Sequence, residues 1–471
     1  MRDKVRLLLI NPTAPEWRVT NGQAPSRKTK AFRFSMLPSL SAAAAMPPYV
    51  QTRIVDEDVE PIDFGIDADV IGISFMTYNA PRAYAIADEF RARGKAVIFG
   101  GCHPTFLPEE AKEHADAVCI GEAEPNVPAM MADFVAGRLQ PFYDRGPADL
   151  KGLRIPDRSL IRQSAYITPY AIQATRGCRY RCKFCSVAAF HRYHFRTRPI
   201  DEVIAELRLL GRNVIFIDDN LVADRDYAKE LFARMIPLGK RWGSQGSIDM
   251  ASDDELLRLA RASGCRGMFI GLESLSQENL RGCNKHFCLA KDYVRAIAKI
   301  HAAGIGVYAG IVFGMDGDTP EVFGSTLDFL DEAKVDALQV TILTPFPGTP
   351  LFEELDREGR IFDKDWAKYD FGHVVFEPRS MSPQTLQAGH DWACRKFYAL
   401  RPTLQRVWRA CRLMGPSAAL ATVVPLNFGY RSRFRANGVL HNAAPVVQPA
   451  DLRTDARSAI SRPRTAAKSS S

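Results

Sequence analysis

No stretch of this chain approaches the roughly 18 consecutive apolar residues that a membrane-spanning helix needs. The best candidate, 418–424, is short and stops at Pro425. A one-signed charge is also missing from most of the chain. The formal net charge is +8, but residues 401–471 hold twelve Lys and Arg against two Asp, a local +10, which leaves about −2 for residues 1–400. A body so nearly neutral excludes a nucleic-acid binder by charge. No secretory leader precedes the apolar run at 5–10, so a reducing cytoplasm is the expected compartment, with the cysteines as thiols. What is there is a chain of 471 residues, 46% of them hydrophobic, enough for two to four globular domains.

Three of the ten cysteines share one loop, Gly177-Cys178-Arg179-Tyr180-Arg181-Cys182-Lys183-Phe184-Cys185. A closed zinc site takes four ligands, usually from two separated pairs, and no second Cys or His pair stands near this loop at that spacing. Three soft thiolates suit an iron–sulfur cluster instead, with one iron left open to a substrate or cofactor. The single cysteines read as buried small hydrophobes. Cys283 and Cys288 are close enough in sequence to keep a second cluster as an alternative. The Cys-x-x-x-Cys-x-aromatic-Cys spacing at 178, 182 and 185 resembles the signature of radical S-adenosylmethionine (SAM) enzymes. The resemblance implies that Cys178, Cys182 and Cys185 hold a 4Fe–4S cluster whose open iron chelates the amino and carboxylate groups of SAM, and that Phe184 lies near the adenine.

Upstream, short apolar runs at 5–11, 51–56, 70–75, 96–99 and 117–120 read as buried strands. Between two of them, Ala83, Ile86, Ala87 and Phe90 fall at helical spacing over 80–93. Alternating strands and helices predict a doubly wound parallel sheet whose ligand sits beyond the C-terminal strand ends. Those ends carry Asn11, Thr77, Tyr78, Gly100, Gly101, His103 and Glu122. Residues 5–145 are similar to the cobalamin-binding domain that precedes one subclass of radical SAM cores, which assigns these seven residues to cobalamin. None of the nine histidines has Asp two residues before it, so the Asp-x-His-x-x-Gly lower ligand of many cobalamin domains is missing. The stretch 12–47, with Lys28 and Lys30, reads as a long loop partly ordered over 34–46.

After 154–173 the strand-then-helix pattern resumes. Strands are expected near 170–175, 214–217, 246–250, 268–272, 307–313 and 337–343, with helices at 201–210, 226–236, 253–262, 290–303 and 320–334. Six such units make a partial barrel with its site at the C-terminal strand ends. By position in the resembled family, Asp218, Asp219 and Asn220 meet the SAM amino group and Glu273 its ribose, while Gly310 and Gly314 leave room for the cofactor. Their ordinary readings are a solvated turn, a helix-entry carboxylate and a weak Gly-x-x-x-Gly. Thr344-Pro345-Phe346-Pro347-Gly348-Thr349-Pro350 reads as a rigid structural turn. His191, Arg192, Tyr193, His194 and Arg196 are open between acid/base or anion contacts and surface or lid groups.

The fold class is therefore α/β: a flavodoxin-like cobalamin-binding domain (1–145), a linker (146–168), a partial (β/α)6 radical SAM barrel (169–350), a mostly helical segment (351–436) and a disordered tail (437–471). The region after 370 resembles the hopanoid methylase-like branch. In 404–414, Leu404, Val407, Trp408 and Cys411 are expected to pack on the barrel with arginines snorkelling beside them; a membrane-surface contact is the alternative. The resemblance implies a methyltransferase: a 5′-deoxyadenosyl radical activates an unreactive carbon of a hydrophobic natural product or isoprenoid lipid, and methylcobalamin supplies the methyl group. The expected partners are that small or lipid-like substrate and an electron donor such as flavodoxin or ferredoxin. The rival readings are cyclisation, C–C coupling or oxidation by the same cluster, and a non-catalytic iron–sulfur scaffold.

Overall fold

The computed structural model describes residues 4–14, 36–421 and 423–436. Most of the loop expected at 12–47, and the tail expected at 437–471, lie outside the described residues. The first sheet is built from β1 (Val5–Asn11), β2 (Val50–Asp56), β3 (Val70–Ser74), β4 (Ala96–Gly100), β5 (Ala117–Cys119) and β6 (Phe142–Tyr143), all parallel, in the order β2-β1-β3-β4-β5-β6. Its strands are continuous apolar runs because both faces are covered. Val5, Leu7 and Leu9 face the helices Leu37–Ala45 and Ala123–Val135, while Leu8 and Ile10 face the helix Ala80–Ala92. The strand order reverses between β1 and β3, which opens a crevice beyond their C-terminal ends.

β7 (Ala171–Ile172) opens a second sheet. A short antiparallel ribbon, β8 (Thr175–Arg176) with β9 (Arg196–Thr197), then closes the base of the cysteine loop. The second sheet continues through β10 (Asn213–Phe216), β11 (Arg241–Gly246), β12 (Cys265–Glu273), β13 (Gly306–Phe313) and β14 (Ala337–Ile342), each parallel to its neighbour and laid down in chain order. Intervening helices such as Arg225–Met235 and Val322–Glu332 cover its outer face, giving the six-unit partial barrel.

The strand expected near 246–250 is instead β11, and Ile248–Ser252 is a 3-10 turn. Its sequence, Arg-Trp-Gly-Ser-Gln-Gly, hides the strand because glycine replaces bulk where backbones close up: a Cβ on Gly243 would lie 3.2 Å from the Gly267 carbonyl oxygen. The helix Leu400–Met414 is turned about its axis relative to expectation. Thr403, Arg406, Ala410 and Met414 are its buried residues, whereas Leu404 and Trp408 are 51% and 57% exposed. Arg406 can go inside because its donors are met, by Asn427 Oδ1 (3.0 Å) and the Phe397 carbonyl (2.7 Å), with its guanidinium over the Phe397 ring. Burial lowers its pKa to about 10.

The linker is tightly held. Glu206 is 1% exposed and lies between Arg158 of the linker (2.6 Å) and Arg198 (2.8 Å). Removing one member of such a set strands the others as buried charges. Glu206→Ala is expected to cost about 3–5 kcal/mol of stability, read as a lowered denaturation midpoint; an unchanged midpoint contradicts this account.

Candidate active site at the junction of the two sheets

The C-terminal ends of the first sheet and the loop that follows the three cysteines line one cavity of about 610 Å³. Asn11, Tyr78, Gly100, Gly101 and Glu122 come from the first sheet's strand ends, Phe190 and His191 from the segment after the cysteines, and Ile217 and Asp219 from the end of β10 in the second sheet. Its inner wall, with Leu9, Gly72, Ile98, Cys119 and Met130, runs between the sheet and the helix Leu37–Ala45. Gly101 is required by the turn above β4. Its φ is +102°, and a Cβ there would stand 2.5 Å from the Phe75 carbonyl oxygen.

The cysteine loop is held on every side. Gly177, with φ +82°, lets it pass against His194, where a Cβ would collide with the carbonyl oxygen. The Gly177 amide donates to Asp219 (3.0 Å), the Lys183 amide to the Cys283 carbonyl (3.0 Å), and the Leu351 amide to the Lys183 carbonyl (3.2 Å). Tyr180 stacks on Phe287 at 3.4 Å between centroids. All three thiols are free. Burial pushes Cys182 up to about 12 and Cys185 to about 11, with the charges of the neighbouring cysteines adding to it. Cys178 is raised by burial too. Lys285 pulls Cys178 and Cys182 the other way, and the amides of Val187 and Ala188 do so for Cys185. Among the described residues no three Cys, His, Asp or Glu side chains stand close enough to hold a metal ion; a bound cationic cluster would draw the three sulfurs of this loop together as thiolates.

Two further features fit a ligand. The Asn11 Nδ2 atom is buried at the cavity wall without a partner among the described residues, while its Oδ1 accepts from Ser39 (2.7 Å). Asn220 Oδ1 is a second buried acceptor without a partner among the described residues, on a side chain that also reaches Cys178. A buried polar atom left unpaired is costly, and these two, beside the cavity and Cys178, are open to a ligand's polar groups.

Several expected site residues are placed differently. Asp218 is fully buried, and its carboxylate accepts from the Ala174 amide (3.1 Å) and the Thr175 hydroxyl (2.7 Å), so it clamps β10 to the segment after β7 and offers nothing to a SAM ammonium. Asp219, one residue on, faces the cavity. Gly310 and Gly314 make room for protein rather than cofactor: a Cβ at 310 would meet the Phe269 ring at 2.8 Å and one at 314 would meet Leu386 at 2.7 Å. His103 is fully buried away from the cavity lining, between Tyr84 (3.0 Å) and Glu110 (3.2 Å) and edge-on to Trp366. Thr77 is likewise buried and outside the lining. Glu273 sits at the end of β12 with φ +66° and pairs with Lys285 at 2.7 Å. Phe184 packs at the margin of the barrel core. Burial raises both Cys283 and Cys288 to about 11, and the charge of Glu273 adds to each.

The residues left open after the cluster loop form the electrostatic centre of the junction. Glu122 is 6% exposed. It is bonded by His191 Nδ1 (2.8 Å), by Arg196 Nη1 (3.0 Å) and by the Ala148 amide (2.7 Å), with Arg176 at 3.2 Å. Burial alone would raise its pKa; the bonds from His191 and Arg196 and the charge of Arg176 instead hold it far below the usual carboxylate range. Arg176 also grips Glu124. His191 reaches on toward Asp219 at 3.6 Å. Cys102 and Lys285 were not singled out by any motif. Cys102 lines the cavity, where burial pushes it up to about 12 with the charges of Asp219 and Cys185 adding.

Residues 172–330 match the family model of the radical SAM superfamily and residues 49–130 that of the B12 binding domain. A bacteriochlorophyllide d C-12(1)-methyltransferase of Chlorobaculum tepidum is 33% identical over 86% of this chain and 90% of its own. The chain belongs to the cobalamin-dependent radical SAM methyltransferases. The hopanoid C-2 methylase of Rhodopseudomonas palustris is 26% identical over 77% of this chain and 74% of its own. The radical SAM methyltransferase TsrM of Kitasatospora setae, solved with cobalamin and a 4Fe–4S cluster, shares the fold at a TM-score of 0.63 and 15% identity, over 83% of this chain and 88% of that one. As a cobalamin-dependent radical SAM methyltransferase, the chain uses a 4Fe–4S cluster, SAM and cobalamin. The orphaned Asn11 and Asn220 atoms offer polar partners to such ligands.

Because Glu122 has a lower pKa folded than unfolded, its stabilisation is complete above its unfolded pKa, about 4.3, and fades as pH falls toward the folded value. Glu122→Gln is expected to cost about 2–5 kcal/mol at pH 7 and to flatten the acid limb of the stability–pH curve. An acid limb identical to that of the wild type contradicts the assignment.

Proposed function

We propose that this enzyme methylates an unactivated carbon of a large apolar substrate, a chlorin-like or isoprenoid natural product. The observation that carries this reading is the single cavity shared by the strand ends of the B12-type sheet and the segment flanking the thiol loop. The curated relatives at 33% and 26% identity, which act on bacteriochlorophyllide and hopanoid, support the apolar substrate.

In this reading residues 1–145 hold cobalamin, 169–350 hold the cluster and SAM, 146–168 join them, and 351–436 complete the wall. Cys178, Cys182 and Cys185 bind three irons. Asp219 and Asn220 accept from the SAM ammonium, Glu273 meets the ribose with Lys285 fixing its carboxylate, and Phe184 flanks the adenine. Asn11, Tyr78, Gly100, Gly101 and Glu122 form the cobalamin wall, Asn11 donating through its orphaned amide. When bound, these groups supply a carbon-centred radical and a transferable methyl. The chain's own residues hold them in one enclosed space and keep solvent from the reacting carbon. A small reducing protein of the flavodoxin or ferredoxin type supplies electrons. No helix among the described residues is long and apolar enough to cross a membrane.

The test is anaerobic reconstitution with iron, sulfide and cobalamin, then SAM, reductant and a chlorin or hopanoid extract. The expected result is 5′-deoxyadenosine and S-adenosylhomocysteine together, with a product heavier by one methyl group. Cys182→Ala should lower bound iron and reduce SAM cleavage to background. Product that has lost hydrogen without gaining carbon would sink the methylation reading, and iron retained in full by the variant would sink the ligand assignment.

A further inference from the structure

We propose that the helix Leu400–Met414 is a docking face for the surface of an anionic lipid bilayer. Leu400, Leu404 and Trp408 follow one another at four-residue spacing along its outer side, 50%, 51% and 57% exposed. The opposite side, Thr403, Arg406, Ala410 and Met414, is buried. Single exposed apolar residues are ordinary. Three in line on one helix, with a tryptophan among them, form the stripe that interfacial helices lay into the headgroup boundary.

The charges beside the stripe select the partner. Arg401 and Arg412 are exposed next to it, and the Arg412 guanidinium lies 4.0 Å above the Trp408 ring. Residues 400–436 contain no acidic residue, and although Arg406 is buried, the exposed Arg401 and Arg412 have no carboxylate on their own helix to offset them. A second copy of this face would bring arginines against arginines; an anionic leaflet meets them with opposite charge and takes the apolar stripe as well. The next helices add Leu420, 60% exposed, and Phe428. That this face collects substrate rests on the function proposed above, but the docking rests on the surface alone and is measured without turnover.

The experiment sediments the full-length chain with sucrose-loaded vesicles of phosphatidylcholine, with and without phosphatidylglycerol. The expected result is binding to the anionic vesicles, release by salt, and a loss of about tenfold or more in the partition coefficient for the double variant Leu404→Ser/Trp408→Ser. Arg401→Gln/Arg412→Gln should weaken binding to anionic vesicles and leave the weak binding to neutral ones unchanged. Iron content and thermal midpoint, equal to wild type in all variants, separate a failed surface from a failed fold or active site. The proposal is overturned if anionic vesicles capture nothing, if the stripe variant sediments like the wild type, or if the chain is a dimer that the stripe variant dissolves while vesicles stay bare.

Discussion

One buried carboxylate, Glu122, holds the two halves of this molecule mouth to mouth. It stands at the end of the first sheet and collects Arg176, His191 and Arg196 from the ribbon and loop that frame the cysteines. An ion pair at a domain boundary gives little net stability when it could be replaced by apolar packing, but it fixes geometry, because each buried cation is costly anywhere else. The same set of bonds therefore sets the angle between the sheets and the distance from the thiol loop to the first sheet's strand ends. Gly348 adds a second contact at this boundary: it lies so close to Phe106 that a Cβ there would strike the ring.

The functional reading follows from that constraint. A radical generated at one cofactor and a methyl group carried by another are useful only if both reach the same carbon before anything else does. Two parallel sheets whose C-terminal ends face one cavity provide such a meeting place, and the thiol loop lies at its edge. The C-terminal helices lie elsewhere, against the outer side of β13 and β14, where Met414 fits over Gly306 and Tyr398 bonds the Leu338 backbone. Their exposed apolar stripe is the face proposed above to dock on an anionic bilayer.

Much of this was legible in the chain itself. The cysteine loop is local, so spacing alone identified it, and the strands were visible because a parallel sheet buried on both faces leaves unbroken apolar runs. The misplaced residues have several physical causes. Asp218 and Asp219 were treated alike, yet along a strand alternate residues face opposite ways: Phe216 and Asp218 point inward, Ile217 and Asp219 line the cavity. That parity was readable and was not used. His103 could not have been placed from its neighbours, because Trp366, 263 positions later, covers it. The turn of the helix Leu400–Met414 was equally hidden, since an arginine normally stays outside and Arg406 goes in only because Asn427 and the Phe397 carbonyl await it. Gly310 and Gly314 were correctly seen as spatial requirements, but the space is filled by Phe269 and Leu386.

The central claim is that the segment following the thiol loop and the B12-type strand ends line one cavity, with the cysteines at its edge. Electron paramagnetic resonance on protein loaded with both the reduced cluster and cob(II)alamin tests it directly, since two unpaired spins in one cavity must couple. The account predicts a cob(II)alamin signal that relaxes faster and broadens when the cluster is reduced, and that reverts in Cys182→Ala. Two independent, unperturbed signals in doubly loaded wild-type protein would contradict it.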